Sequence, residues 1–240
     1  MSTPFWKMHG AGNDFILVDD RDGLFPKQDA SALAALCRRR TGIGCEGLIL
    51  IQPSESAEFR MQFFNPDGNE VEMCGNGARC VARLAHDLGI AADCMTIETR
   101  AGVLSAALLG DQVRLELPPP PPAQLRQSLV LPSGDSLEYD FLNTGVPHVV
   151  LQTDDLEGYP LQERGRAVRE HAVFAPAGTN VNVFAIQDEH HVRVRTYERG
   201  VEHETLACGT GIVASTIAAV LRGLASTPVT VRAASGDSLV

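Results

Sequence analysis

The sequence predicts an α+β protein built from two similar halves. Short apolar or alternating runs, which are typical of β-strands, recur along the chain and are separated by few helical stretches. Five consecutive prolines, Pro118 to Pro122, lie near the middle, where they can enter neither a helix nor a central strand. A Cys-Gly-X-Gly motif occurs once on each side of this proline run. We therefore expect a first half at residues 1–117 and a second half at residues 118–240, each of ordinary domain size.

In the first half, a helix is predicted over residues 29–40. Leu33 and Cys37 share its apolar face, and Arg38 to Arg40 suit the negative end of a helix dipole. Cys37 is then a core residue. The strands predicted in this half are at residues 14–18, 47–51, 58–64, 94–99, 102–109 and 112–117.

The second half shows the same mixture of strands and helix. A helical stretch is predicted over residues 212–224, and residues 235–237 are typical of a turn that leads into a strand at Ser238. The other strands predicted in this half are at residues 137–142, 148–152, 181–186, 191–197 and 228–232.

The composition favours a small-molecule ligand over a nucleic acid or a membrane. With 30 acidic and 20 basic residues the formal net charge is −10, so the surface is not suited to neutralising phosphates or anionic lipid. The N-terminal stretch has no apolar run long enough for a signal peptide, and no segment approaches the roughly 18 apolar residues of a membrane span. We therefore expect a cytoplasmic protein.

Six cysteines in such a chain are more typical of free, catalytic or metal-binding thiols than of a disulfide framework. None forms a Cys-X-X-Cys pair, which weakens the case for a zinc site.

The two cysteine motifs each precede a helix-like stretch. Cys74 is followed by Gly-Asn-Gly, and Cys208 by Gly-Thr-Gly. A helix N-terminus carries partial positive charge and unpaired N–H donors, so it can stabilise a thiolate or hold a carboxylate. One such motif alone is more typical of a buried cysteine before a tight helical entry. Two copies favour a matched acid and base, because inverting a stereocentre by proton transfer needs a base on one face and an acid on the other.

Four segments carry a resemblance to the diaminopimelate epimerase family that spans nearly the whole chain. They are KMHGAGNDF (7–15), FFNPDGNEVEMCGNGARC (63–80), GTNVNVF (178–184) and YERGVEHETLACGTG (197–211). The resemblance implies two similar halves, each a mixed sheet or barrel around a central helix, with the active site in the cleft between them and no cofactor or metal. It also implies interconversion of LL- and meso-diaminopimelate, for lysine and peptidoglycan precursor synthesis, by a homodimer.

The resemblance also assigns roles to individual residues. Cys74 and Cys208 match the two catalytic cysteines, and His148 and Glu198 match residues that tune the pKa values of the thiols. The backbone donors to the carboxylate at the reacting centre are matched by Gly75, Asn76, Gly209 and Thr210.

Recognition of the non-reacting end of the substrate requires a cation for its carboxylate and acceptors for its ammonium group. Arg199 offers a guanidinium that can bind a carboxylate through two hydrogen bonds. The residues that match the family's other polar contacts are Asn13, Asn65, Asn180 and Glu198. Without the resemblance, Asn13 and Asn65 would be read as turn residues and Arg199 as a surface charge.

The chain departs from the family pattern in three places. Gly47 follows Glu46 where many members have a glutamine, and Val146 stands where many have an asparagine, with Asn143 or Thr144 as candidates to compensate. Members usually continue beyond the position of Val240 with further strands, so the sequence suggests a truncated second half with an open sheet edge.

Val146 keeps open a related cofactor-independent racemase of proline, hydroxyproline or histidine. The short ending keeps open an inactive amino-acid-binding relative.

Overall fold

The computed structural model describes residues 3–240, so the first two residues of the N-terminal stretch considered above lie outside the described part. The chain divides into two compact units, Met1–Pro118 and Pro119–Val240, and the division falls within the proline run. Each unit contains an eight-stranded sheet and one long helix. The predicted fold class is confirmed.

The first half contains eight strands and two helices. In chain order they are β1 (Trp6–Gly10), β2 (Asn13–Asp19), α1 (Ala30–Cys37), β3 (Leu48–Gln52), β4 (Phe59–Phe64), β5 (Glu70–Val71), α2 (Gly75–Asp87), β6 (Cys94–Thr99), β7 (Gly102–Leu109) and β8 (Gln112–Glu116).

The sheet of the first half curls around α2. The strand order is β1-β2-β3-β4-β6-β7-β8, with β5 paired to β4. Helix α2 packs against β1 and β8, which are the two ends of that order, as well as against β2, β3 and β7. Its buried face includes Val81, Ala82 and Ala85, which lie in one core with Phe15 and Ile49 from the sheet. The first turn of α2 is therefore held firmly at the edge of a well-packed core.

The second half also has eight strands and two α-helices, with a short 3₁₀ helix at Ala172–Phe174. They are β9 (Gln124–Val130), β10 (Ser136–Asn143), β11 (Pro147–Gln152), α3 (Leu161–Arg169), β12 (Asn180–Asp188), β13 (His191–Glu198), β14 (His203–Thr205), α4 (Gly209–Leu221), β15 (Thr230–Arg232) and β16 (Ser238–Leu239). The strand order is β16-β15-β13-β12-β11-β10-β9, with β14 paired to β13. Helix α4 packs against strands β10 to β13, and α3 packs against β12, β13 and β14.

The two halves repeat one pairing scheme. In the first, β1–β2 is antiparallel, β2–β3 parallel, β3–β4 antiparallel and β4–β6 parallel. In the second, β10–β11, β11–β12, β12–β13 and β13–β15 follow the same succession. By this scheme β2 corresponds to β11, and α2 corresponds to α4.

Two helix predictions need correction. The helix expected over 29–40 ends at Cys37, because Arg38 has an extended backbone (φ −62°, ψ 125°), so Arg38 to Arg40 do not lie in its last turn. The helix expected over 212–224 begins at Gly209 and ends at Leu221, because the glycines of the motif already adopt helical geometry. The turn and strand expected near Ser238 are present, and β16 pairs antiparallel with β15.

Within residues 3–240, no helix is both long and apolar enough to cross a membrane.

Candidate active site

Cys74 is the N-cap residue of α2. Its backbone is extended (φ −136°, ψ 119°), and its carbonyl accepts the first helical hydrogen bond from the Ala78 N–H at 2.8 Å. The glycine at position 10 lets β1 approach this turn closely, because a Cβ there would lie 2.8 Å from the Asn76 carbonyl oxygen. The first N–H groups of a helix have no intrahelical partner, so this turn can bind an anion.

Asn13 presents an acceptor to Cys74. The Asn13 Nδ2 group donates to the carboxylate of Glu46, which turns Oδ1 of the same amide away from Glu46. That Oδ1 lies 3.9 Å from Cys74 Sγ and can accept a hydrogen bond from the thiol. Asn13 therefore contacts the cysteine itself, at the first position of β2.

The Arg79 side chain is hydrogen-bonded to the first turn of α2. Its Nη2 donates to Asn76 Oδ1 at 2.7 Å, and the Asn76 side chain is buried. Burial lowers the pKa of Arg79. Burial also raises the pKa of Cys80 to about 12, so Cys80 is an unreactive thiol beside the candidate catalytic one.

Cys208 occupies the equivalent position in the second half. It is the N-cap of α4 with an extended backbone (φ −111°, ψ 105°), and it accepts from the Ile212 N–H at 2.9 Å. Its side chain is buried, and its Sγ lies 3.5 Å from Thr210 Oγ1. The Thr144 hydroxyl donates to the Thr210 carbonyl at 2.8 Å and so fixes this first turn to the end of β10.

His148 lies behind Thr210. Its imidazole is fully buried at the start of β11, with Nε2 3.0 Å from Thr210 Oγ1 and Nδ1 3.0 Å from Asn182 Nδ2. Burial, and then the positive charge of Arg199, lower the pKa of His148 to about 3. His148 is therefore neutral at neutral pH, and a hydrogen bond with Thr210 joins it to the turn that carries Cys208.

The polar residues expected to bind the distal end of the substrate divide between the halves. In the second half, Asn180 Oδ1 accepts from the Arg199 backbone N–H at 2.8 Å, so Asn180 positions the guanidinium-bearing residue. Arg199 Nη1 donates to the Ala177 carbonyl at 2.8 Å, and Glu198 accepts from the Thr205 hydroxyl at 2.9 Å.

In the first half, Asn65 begins the turn after β4, where its carbonyl accepts from the Gly68 N–H at 2.9 Å. Asn65 is the residue directly after β4. Arg199 is the residue directly after β13, which is the strand of the second half that corresponds to β4.

The structure explains one departure from the family pattern. A Cβ at Gly47 would overlap the ring of Phe63, so the position has no room for a glutamine side chain. The two candidates to compensate for Val146 are engaged locally: Asn143 Oδ1 accepts from the Gly145 N–H at 3.1 Å, and the Thr144 hydroxyl bonds α4.

Sequence reasoning missed two residues that contact the site, Asn182 and Arg79. Asn182 could have been noticed as a polar residue two positions after Asn180 on one face of a strand that is otherwise apolar. Arg79 lies one turn after Gly75 in α2, where its position alone indicated a solvent-exposed helix residue. Within residues 3–240, no cluster of three or more His, Cys, Asp or Glu side chains is arranged to hold a metal ion.

Comparison with known proteins places this arrangement in a family. A sequence model of the diaminopimelate epimerase family matches residues 5–117 and 141–240. The diaminopimelate epimerase of Aquifex aeolicus is 41% identical over 245 residues, covering 98% of this chain and 88% of that protein. The diaminopimelate epimerase of Chlorobaculum tepidum is 40% identical over 237 residues, covering 97% of this chain and 90% of that protein.

Solved structures support the same fold at much lower sequence identity. A probable proline racemase from Agrobacterium radiobacter K84 is 18% identical with a TM-score of 0.71, covering 99% of this chain and 83% of that one. A hydroxyproline epimerase from Agrobacterium vitis is 16% identical with a TM-score of 0.70, covering 98% of this chain and 82% of that one. These two likenesses concern the fold, whereas the family model and the relatives at 40% identity or more match nearly the whole sequence. The chain belongs to the diaminopimelate epimerase family.

Proposed function

We propose that this protein is a cofactor-independent isomerase that interconverts LL- and meso-diaminopimelate. The observation that carries the proposal is the pair of cysteines at the N-caps of α2 and α4, in a chain 41% identical to a protein named diaminopimelate epimerase. A thiol at a helix N-terminus is suited to exist as a thiolate, which proton abstraction requires.

The reaction needs one cysteine as thiolate and the other as thiol. The thiolate removes the α-proton from one face of the carbon, so the C–H bond breaks and its electron pair is delocalised into the neighbouring carboxylate. The thiol then gives its proton to the opposite face, and a new C–H bond forms with inverted configuration. The N–H groups of Gly75, Asn76, Gly209 and Thr210 are proposed to hold that carboxylate and to stabilise its increasing negative charge.

The distal amino-acid end is proposed to bind Arg199 together with Asn13, Asn65, Asn180 and Glu198. The hydrogen bond from the Arg199 backbone to Asn180 supports this role, because it fixes the residue from which the guanidinium extends. Glu198, beside it on β13, provides a carboxylate for the ammonium group.

The runner-up is a racemase of proline, hydroxyproline or histidine. Val146 is the feature that favours it, since an expected hydrogen bond to a distal substrate group is missing there. The solved racemase and epimerase of that kind are only 18% and 16% identical, against 41% for the Aquifex relative. A panel of LL-diaminopimelate, L-proline, trans-4-hydroxy-L-proline and L-histidine separates the two, and turnover confined to the last three would replace our proposal.

The direct test is incubation of purified protein with LL-diaminopimelate in heavy water, followed by chiral analysis and mass spectrometry. We expect meso product carrying deuterium at one α-carbon in early samples, because the returning proton comes from a thiol that exchanges with solvent. Product without deuterium, or activity that depends on added pyridoxal phosphate, would exclude the two-cysteine mechanism.

We further propose that the protein acts in the cytoplasm as a homodimer, in lysine and peptidoglycan precursor synthesis. Light scattering after size exclusion should then give twice the 25.8 kDa of the chain. A mass equal to one chain at micromolar concentration would contradict the dimer.

A further inference from the structure

The side-chain amide of Asn182 can have only one orientation. Its Nδ2 lies 3.0 Å from the carbonyl oxygen of Val149, which can only accept a hydrogen bond. Its Oδ1 accepts from the Thr196 hydroxyl at 2.9 Å on the neighbouring strand. All three residues are buried, and rotating the amide by 180° would set two oxygens against each other. The nitrogen of Asn182 must therefore point towards Val149.

This orientation determines the tautomer of His148. The same Nδ2 lies 3.0 Å from His148 Nδ1, and an amide nitrogen can only donate. His148 Nδ1 must therefore be the acceptor and carry no proton. A neutral imidazole has one N–H, which places the proton on Nε2.

The proton on Nε2 in turn orients the hydroxyl of Thr210. His148 Nε2 lies 3.0 Å from Thr210 Oγ1, so the hydroxyl oxygen accepts this hydrogen bond. The hydroxyl hydrogen is then directed to another acceptor, and Cys208 Sγ lies 3.5 Å away. The chain of hydrogen bonds therefore runs in one direction, from the amide to the sulfur.

We infer that Asn182 is a positioning residue that fixes the tautomer of His148, so that the Thr210 hydroxyl donates to Cys208 and stabilises its thiolate. This inference rests on the proposed function, in which a thiolate is the base. It implies that the second half prepares Cys208 as the base of the resting enzyme. The first half differs, because Asn13 Oδ1 offers Cys74 an acceptor, which suits a thiol.

Other charged groups lie on the elements around Cys208, and a test must leave them unchanged. Glu198 ends β13 and Arg199 follows it, and His203 and Glu204 are on β14, which leads into the motif. A cation favours the thiolate and an anion disfavours it. Replacing only the Thr210 hydroxyl removes the donor and keeps all of these charges in place.

The first experiment measures the tautomer by nitrogen NMR of protein labelled with ¹⁵N-histidine. The chain has seven histidines, and the His148 signals are those missing from the His148→Gln variant. We expect the wild type to show a protonated Nε2 and an unprotonated Nδ1. Asn182→Asp should place a proton on Nδ1, because a carboxylate can only accept from that nitrogen. A wild-type His148 that carries its proton on Nδ1 would overturn the inference.

The second experiment measures the thiol pKa of Cys208 and needs no change in the core. The rate of iodoacetamide alkylation is followed against pH by mass spectrometry of the peptide that contains Cys208, which separates it from the other cysteines. In Thr210→Val the apparent pKa should rise by about one unit, which is about a tenfold loss of thiolate at a pH below both values. Thr210→Ser, which keeps the hydroxyl, should restore most of the difference.

The control is Thr216→Val on the same helix. The Thr216 hydroxyl donates to the Ile212 carbonyl at 2.9 Å, so the variant makes the same chemical change away from the sulfur. Equal pKa values for Cys208 in Thr210→Val and Thr216→Val would refute the hydrogen bond from Thr210. Neither experiment uses a substrate. If His148 has the inferred tautomer but the protein has no epimerase activity, only the proposed function is refuted.

Discussion

The two candidate catalytic cysteines share a backbone position but have different neighbours. Each is the N-cap of the central helix of its half. Cys74 Sγ lies near the amide oxygen of Asn13, and Cys208 Sγ lies near the hydroxyl of Thr210. The same local fold therefore places an amide oxygen beside one thiol and a hydroxyl beside the other, a difference that fits the proposed roles of one acid and one base.

We expect Cys74→Ala and Cys208→Ala each to lower epimerisation by at least about 100-fold, because loss of a general acid or base typically costs that much. Each variant should still eliminate a good leaving group from a substrate analogue, since elimination needs only one base. The control is Cys94→Ala, which removes an exposed cysteine at the start of β6 and should have wild-type turnover. Substantial turnover in either of the first two variants would contradict the two-base assignment.

Arg199→Lys should weaken binding of diaminopimelate although the charge is kept. A lysine cannot reproduce the paired hydrogen bonds of a guanidinium with a carboxylate, so the loss should be about 1.5–3 kcal/mol. Calorimetric titration of both proteins measures it. Arg193→Lys, on β13 six residues before Arg199 and paired with Glu157, is the matched control. If the two variants bind equally well, the distal carboxylate is recognised elsewhere.

Sequence motifs identified most of the candidate site residues, whereas contacts between residues far apart in the chain could not be predicted from the sequence. Both cysteines and Arg199 lie in segments that carry the family resemblance. The contact between Asn182 and His148 depends on the register of β11 with β12, which places residues 32 to 34 positions apart side by side. No local pattern carries that register, so the function of Asn182 became visible only in the fold.

At the scale of elements, α4 packs on the sheet through a glycine. A Cβ at Gly211 would overlap Oδ1 of Asn182, so this first turn of α4 requires glycine. The first turn of α4 therefore packs directly against the side-chain amide of Asn182.

Gly211→Ala should lower the free energy of unfolding by about 1–3 kcal/mol, as expected for overpacking. It should also disturb the His148 signals, because Asn182 must shift. Gly75→Ala is the stability control, since a Cβ there would meet no atom of the described residues within 4 Å. Urea unfolding of the three proteins measures the difference, and equal stabilities would show that the first turn of α4 is loosely packed.

Some strands were predicted with the correct bounds, whereas one helix was missed. Strand β6, in which apolar and polar residues alternate, has the predicted bounds 94–99, and the largely apolar β7 has the predicted bounds 102–109. Helix α3 was missed because it contains Gly165, a poor helix former, among mostly charged residues. The fold requires that glycine, because a Cβ there would lie 2.8 Å from the Cβ of Tyr197. Tertiary packing thus outweighed local propensity at this position.

At the scale of the molecule, burial of His148 makes stability depend on pH. Its pKa is 6.5 in an unfolded chain and about 3 in the fold. Between these values the unfolded chain binds a proton that the folded chain does not. The contribution of His148 to stability is therefore complete above pH 6.5 and decreases as the pH falls towards 3.

We expect the free energy of unfolding to fall by about 1.4 kcal/mol more per pH unit in the wild type than in His148→Gln, between about pH 6 and pH 4. Urea unfolding at each pH measures it. Tyrosine fluorescence reports the second half, because all three tyrosines lie there while the single tryptophan, Trp6, lies in the first. Identical slopes in the two proteins would mean that His148 is protonated in the fold.

The repeated pairing scheme has an evolutionary consequence. Two halves with one topology are the arrangement that duplication and fusion of a gene for a single half would produce. In an assembly of identical halves, every substitution would appear twice, and both thiols would keep the same neighbours. A single chain is free of that constraint, so β2 can carry Asn13 beside one thiol while β11 carries His148 near the other. A reaction whose acid and base must differ is served by a protein whose two copies were free to diverge.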